Sequence, residues 1–505
     1  CCFSSCETSL VFSASSFLIV TIAKKPTHEP YYKTKSRIRM RLKNAEMLAI
    51  SSVNTTKEVV QLAEKIQLNQ IDPAALLNAK KILRDGLGVL ILGLQHETID
   101  LLKKYFGENE TVLGVQLLSG SIKLSKTDAA FIYGCAIHSM DFEPMFLPPT
   151  HAVSPVLAPL IALAQSGVGS GELFLKAFLA GIQLEADLRK AAAASDVVAA
   201  QKENHFPFDR RGFHPPGTVG PLGSAMASSI LLEMNNEQKE MAIGHASSRS
   251  SGISVNIGTM TKATHCGAAA RSGLESAFLI NNGLTACNNG IEGPSGWANV
   301  FGGEEFNFNQ LITGMQQLDC FTNPGFAFKK WPAHTAMQIA IDAGLKHYSE
   351  GIIPKEITLT TPVFKYCNRP FPKDSDEARF SFQYNVAVAV LDGRVDDDSY
   401  SETKLRSKEV QHVLFSINLK MNRDIPRDFG KMRVIIETND GRRSTSDSWP
   451  GHWKRPATEE QLLNKFVSCT KQKWSENEAI KVSKLIMNIE QGKNYRELIA
   501  LLNNL

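Results

Sequence analysis

The stretch "HSMDFEPMFLPPTH", from His138 to His151, sets two histidines and two carboxylates among three prolines, with Phe and Met between them. Imidazole exchanges protons near neutral pH, and a carboxylate beside it can orient the ring. A loop that only connected two elements would not need so dense a mixture of acid, base and apolar bulk. Three further segments repeat the theme: "RRGFHPPGTVG" holds His214, "TMTKATHCG" holds Lys262 and His265, and "FKKWPAHTA" holds His334. His151, His214, His265 and His334 are each flanked by Pro, Gly or Thr, which mark the junction of a loop and a helix because proline restricts the residue before it and glycine admits strained backbone. One such histidine is ordinarily a cap or core residue bonded to a carbonyl. Four, together with Lys262 and Asp141, point to a site in which imidazoles move protons and an ammonium holds a carboxylate. The helix start after "HPPGTVGPLG" would add amide donors for an anion.

Helices must carry these junctions. Asp72-Pro73 reads as an N-cap and first-turn proline, after which Leu76, Ala79, Leu83, Leu87 and Leu90 recur at spacings of three and four. Similar patterns predict helices over 155–165, 171–203, 223–234, 237–247 and 266–282. Several are rich in Ala and Gly, as in "HCGAAARSGLESAFL", which implies close packing between helices. Near residue 325 the texture changes. After a helix at 334–348 come β-branched segments, "EITLTTPV", "VLFSIN" and "MRVIIETNDGRRS", the last with Asn439-Asp440-Gly441 as a hairpin turn. "FSFQYNVAVAV" fits either a strand or a helix. Helical pattern returns from Glu459. The expected fold is mainly α: a large all-helical domain over 51–325, an inserted smaller α+β domain over 326–453, and helices over 454–505 that return to the first.

Composition narrows the classes. The chain has 505 residues and a net charge of +4, yet residues 1–50 hold eight Lys/Arg against three acids, so their +5 leaves −1 for the remainder. No basic patch for nucleic acid is expected in the folded part. Residues 1–50 read as a tail; their basic, Ser-rich, acid-poor start suggests a mitochondrial presequence, with a cytoplasmic protein as the alternative. The apolar run Leu10–Ala23 is short for a membrane span, so no membrane partner is expected. Nine cysteines include no C-x₂-C pair, which argues against a zinc site and against closely spaced iron–sulfur ligands. There is no HExxH, no GxxxxGK[ST] and no GxSxG. "GVGSG" at 167–171 joins two helical patterns instead of following a strand. No metal and no cofactor is expected.

In order and wording, the segments "HSMDF…PPTH", "FHPPGTVGPLGSA", "TMTKATHCGAAARSGLESAFL", "FKKWPAH", "YCNRPFP", "EARFSFQY" and "GHWKRP" resemble the MmgE/PrpD family, most closely its cis-aconitate decarboxylase branch, over about residues 50–495. The resemblance implies a helical domain with an α+β lid, a homodimer, and a cofactor-free lyase site for a small polycarboxylate in the cleft between them. It puts the catalytic residues at His151, Asp141, Lys262 and His214, and substrate contacts at His334, Tyr366 and His265. Decarboxylation of cis-aconitate to itaconate is the most specific expectation, with His151 as proton donor. Dehydration of a 2-methylcitrate-like acid, epimerisation beside a carboxylate, and binding without turnover are the alternatives. Where the decarboxylase pattern has acidic, Thr and His residues, this chain has Pro144, Met145 and Leu147, an exchange expected to make the pocket less polar.

Overall fold

Capping residues and buried apolar stripes account for most of the helices. The computed structural model describes residues 54–505, with 109, 110, 113, 119, 204–211 and 304–305 left out and only the backbone given for 193–203. The tail expected over 1–50 lies outside the described residues. Asp72 caps α1 (Pro73–Gly93), its carboxylate accepting the Ala74 N–H at 2.9 Å. Ser125 caps α2 (Lys126–Ser139), whose last ten residues, from Ala130 to Ser139, are buried except Phe131. Then follow α3 (Val153–Gln165), α4 (Gly171–Glu203), α5 (Pro215–Leu231), α6 (Asn236–Ser247) and α7 (Thr261–Asn281). No helix among the described residues is long and apolar enough to cross a membrane.

The helices at 155–165, 171–203, 237–247 and 266–282 stand close to where their periodicity puts them. Two expectations need correction here. The helix expected to start at 223 starts at Pro215, because Pro215 and Pro216 occupy the first turn, where a missing N–H leaves nothing unsatisfied. The α2 helix is not among the expected helices: it is buried around nearly its whole circumference, so no amphipathic stripe marks it.

Two glycines set how near α2 and α7 lie. A Cβ on Gly134 would stand 2.9 Å from the Gly267 Cα, and one on Gly267 would stand 2.4 Å from the Phe131 carbonyl oxygen. The two backbones therefore meet with nothing between them. This crossing brings the end of α2, with His138, against the start of α7, with Lys262.

Past residue 330, α8 (Thr335–Leu345) and α9 (Phe382–Asp392) pack on one another, and α8 also packs on a four-stranded sheet. The strands are β1 (Ile357–Thr361), β2 (Ile417–Met421), β3 (Val434–Thr438) and β4 (Arg443–Ser446), in the order β2-β1-β3-β4. β1 is parallel to β2, with Ile357 opposite Ile417, and antiparallel to β3, with Leu359 opposite Ile436. Alternate residues of β1 and β3 are buried, so one face of the sheet supports the helices. "FSFQYNVAVAV" resolves as helix: Ser381 caps α9 by accepting the Tyr384 N–H at 2.9 Å. "VLFSIN" is a strand only from Ile417, since Val413–Ser416 complete the helix α10 (Lys408–Ser416). The turn expected at Asn439-Asp440-Gly441 joins β3 to β4, with Gly441 at φ +84°.

The chain ends in α11 (Glu459–Thr470), α12 (Glu476–Met487) and α13 (Gly492–Asn503). α11 and α12 lie on α1, and α13 lies on α3 and α4. The protein is mainly helical, and residues 52–505 form one compact unit.

Candidate active site

Asp141 stands two residues past Ser139, the end of α2, with φ +48°, a left-handed conformation that Asp tolerates better than most residues. Its N–H donates to the His138 carbonyl at 3.0 Å, turning the chain sharply. Its carboxylate accepts from Lys262 at 2.9 Å and makes a very close ion pair with Lys329, which also donates to the Asp141 backbone oxygen at 2.6 Å. Burial alone would raise the Asp141 carboxyl, but Lys262 and Lys329 hold it well below the usual carboxylate range. Burial brings the Lys329 ammonium down to about 8, against the pull of Asp141 in the other direction.

A ring of buried polar groups continues from there. Lys262 Nζ lies 2.5 Å from His138 Nε2, and His138 Nδ1 lies 2.6 Å from Glu143 Oε1. Ser154, near the start of α3, donates to Glu143 from its N–H and its hydroxyl, both at 2.9 Å. His151 stands between the two acids, with Nδ1 3.7 Å from Glu143 and Nε2 3.7 Å from Asp141, which is contact distance but not hydrogen bonding. Burial keeps His138 and His151 well below the usual imidazole range, with Lys262 adding to the effect at His138 and Lys329 at His151. Burial also pushes the Glu143 carboxyl up to about 8 despite the two bonds from Ser154.

His214 precedes Pro215 at the start of α5, and its Nδ1 meets His265 Nδ1 at 3.1 Å. Burial, then Lys262, brings His265 down to about 4 and His214 well below its ordinary value. On the other side, His334 caps α8, its Nδ1 accepting the Ala336 N–H at 3.2 Å while Nε2 faces the Tyr366 hydroxyl at 3.4 Å. Burial brings His334 down to about 3. Burial thus disfavours charge on each of these imidazoles, and the cationic groups of the site are its lysines and arginines.

Several of these groups converge on one cavity between α4, α5, α7 and α8. His151, His214, Lys262, His334 and Tyr366 all reach its wall. Asp141 and His265 are not in that wall: Asp141 lies under Lys262 and Lys329, and His265 lies against His214. Arg189 from α4 and Arg427 from the loop before β3 also line the cavity. The Arg427 guanidinium sits 4.7 Å over the Phe364 ring. No motif in the sequence marks these arginines, or His138, Glu143 and Lys329, as site residues. His138 and Glu143 were in plain view within the opening stretch, and only their spacing around Asp141 set them apart.

Met145 and Leu147 do not line the cavity. Met145 belongs to the apolar cluster around α8 and α9, and Leu147 packs against it. The expected loss of pocket polarity from these two residues is therefore corrected: in this chain their side chains point into a core.

His138, Glu143 and His151 each offer a ligand atom, all within 4.8 Å of one another. Lys262 and Lys329 beside them make the spot cationic, and the His138 and Glu143 atoms already bond each other, so the donor set suits proton sharing better than a metal ion.

The MmgE/PrpD N-terminal domain matches residues 57–309 and the MmgE/PrpD C-terminal domain matches residues 331–491. The chain is 31% identical to the cis-aconitate decarboxylase of Homo sapiens over 459 residues, covering 86% of this chain and 92% of that protein. It is 31% identical to the Mus musculus cis-aconitate decarboxylase over 437 residues, covering 82% and 86%. A cis-aconitate decarboxylase-like protein of Aspergillus oryzae, oryM, is 20% identical over 481 residues, covering 89% and 97%. With both domains matched in order and two enzymes similar over most of its length, the chain belongs to the MmgE/PrpD family.

Proposed function

We propose that the protein is a lyase for a small polycarboxylate, decarboxylating cis-aconitate to itaconate by histidine-mediated proton transfer and without a cofactor. The observation that carries this reading is the convergence of His151, His214, Lys262 and His334, from four segments far apart in sequence, on one cavity. The decarboxylases similar to this chain give the reaction its name.

The chemistry fits the residues. The bond between the methylene carbon and its carboxylate breaks, carbon dioxide leaves, and the electron pair forms a new terminal alkene. The original π pair moves to the carbon beside a remaining carboxylate, which must take a proton. His151 is positioned as that donor, a role worth about 10²–10⁴-fold in rate. Lys262, Arg189 and Arg427 are the cationic groups that would hold the carboxylates, while His214, His334 and the Tyr366 hydroxyl supply hydrogen bonds that do not quench the acid. In this reading Asp141 acts from beneath, holding Lys262 in place. Residues 326–453 would serve as a lid over the helical part, the chain would work as a homodimer, and residues 1–45 would direct it to mitochondria.

The test is to incubate the purified protein separately with cis-aconitate, citrate and 2-methylcitrate in deuterated water and follow products by NMR. Itaconate from cis-aconitate is the expected outcome. A new alkene from a hydroxy acid would replace decarboxylation by dehydration, deuterium uptake alone would indicate epimerisation, and no change in any substrate would leave a binding protein.

A further inference from the structure

The donor assigned above has a difficulty. Burial, with Lys329 adding to it, holds His151 well below the usual imidazole range and so favours the ring with a single proton. If it gave that proton to a carbanion, it would be left as an imidazolate unless a second proton reached the opposite nitrogen in the same step. His151 Nδ1 is buried and makes no hydrogen bond, and the acidic oxygen it faces is Glu143 Oε1 at 3.7 Å. With Nδ1 turned inward, the ring meets the cavity by its Nε2 edge.

We propose that Glu143 is the proton source behind His151, acting through the ring without touching the substrate. The inference rests on the decarboxylase reading and names a positioning residue for it. In the step, His151 Nε2–H transfers its proton to the carbanion carbon, and the Glu143 carboxyl O–H transfers its proton to Nδ1. The imidazole ends neutral with its proton on the other nitrogen, and Glu143 ends as a carboxylate. His138 Nδ1–H, at 2.6 Å, then returns a proton to Glu143 while the Lys262 ammonium, at 2.5 Å, gives one to His138 Nε2. Lys262 lines the cavity and is reprotonated by water once product leaves. The ring of contacts thus forms a closed proton path from solvent to the buried face of His151. The 3.7 Å gap must shorten by under an ångström, which is ordinary for an active site without its substrate.

The surroundings suit a carboxyl that keeps its proton. Ser154 on α3 and His138 on α2 contact Glu143 directly, and the two Ser154 bonds favour the ionised form; Cys266 on α7 and Glu185 on α4 lie in the same buried surroundings, which push both well above their ordinary values. Lys262 and Lys329 oppose protonation from a distance, and burial outweighs them, leaving Glu143 at about 8. Activity that needs the protonated form is therefore full below that value and falls as pH rises through it.

Glu143→Gln keeps the size and one oxygen acceptor, gives up the acceptor for one Ser154 bond, and cannot give a proton. Its kcat with cis-aconitate should fall about 10²-fold with KM within a few-fold of wild type, and its pH profile should lose the alkaline decline centred near 8. Glu143→Asp should recover part of the rate. An infrared difference spectrum between wild type and Glu143→Gln provides a readout free of turnover: a protonated-carboxyl band should be present below about pH 8 and absent above it. A Glu143→Gln enzyme with wild-type kcat and an unchanged alkaline limb would overturn the proposal, and so would a missing band at neutral pH. If wild type does not turn over cis-aconitate at all, the lyase reading fails by itself, while the infrared band still decides whether Glu143 holds a proton.

Discussion

Lys329 binds Asp141 twice, donating from one buried ammonium to both the backbone carbonyl and the carboxylate. Asp141 in turn bonds Lys262, so one carboxylate anchors two cations, one of which faces the cavity. Removing Lys329 would leave the buried acid half-compensated in a left-handed turn. Lys329→Met should lower stability by about 3–5 kcal/mol in urea unfolding and reduce activity as well. Its neighbour Lys330 is exposed, so Lys330→Met should change neither by much. Equal effects from the two substitutions would contradict the burial argument.

His151 and Lys262 should respond differently to truncation. His151 makes no hydrogen bond within the protein, its nearest charged atoms being 3.7 Å away. His151→Ala should therefore remove about 10²–10⁴-fold of the rate while thermal unfolding moves little. Lys262 holds Asp141 and His138 together at 2.9 and 2.5 Å. Lys262→Ala should weaken substrate binding and also cost about 3–5 kcal/mol of stability, because a buried carboxylate loses a partner. A thermal scan beside steady-state kinetics separates the two patterns. Unchanged turnover in His151→Ala would remove the histidine from the mechanism.

How far the site was legible in the sequence follows from these contacts. The junction histidines announced themselves through Pro and Gly neighbours, which fix element ends, and His151, His214 and His334 do reach the cavity. Lys329 and Lys330 are adjacent and chemically identical in sequence, and only the fold makes one buried and the other exposed. His138 ends a helix that is buried on all sides, so it carried no period by which to orient it. Arg189 sits in mid-helix on α4, where a charged residue ordinarily faces solvent. In the β region, the strand composition of "VLFSIN" was right only for its end, since Val413 and Leu414 are buried by a helix that β-branched content does not exclude.

The replacement residues at Met145 and Leu147 belong to core packing. Met145 is 1% exposed within the apolar cluster around α8 and α9, and its backbone pairs with Ala327. Met145→Thr would exchange a flexible apolar side chain for a shorter one with a hydroxyl and no evident partner, at a cost of about 1–3 kcal/mol. The ratio of kcat/KM for cis-aconitate over 2-methylcitrate should stay within a few-fold of wild type in Met145→Thr and in Leu147→His. A tenfold shift in that ratio would return these positions to the specificity of the pocket.

The close crossing of α2 and α7 makes a prediction at a distance from the cavity. An alanine at 267 would place its Cβ 2.4 Å from both the Phe131 carbonyl oxygen and the Cys135 sulfur, nearer than packed atoms approach. The helices must separate, at a cost of about 1–3 kcal/mol. Lys262 lies five residues before that point on α7 and His138 four after Gly134 on α2, so the separation should also pull the 2.5 Å contact between them apart. Gly267→Ala should thus lose both stability and at least about tenfold in kcat, since small misplacements of catalytic groups are amplified in rate. Gly492→Ala on α13, where the nearest atom lies 3.7 Å away, serves as the neutral control. A Gly267→Ala protein that melts earlier yet keeps wild-type kcat would mean that the crossing supports packing alone and that the Lys262–His138 contact is set by other parts of the fold.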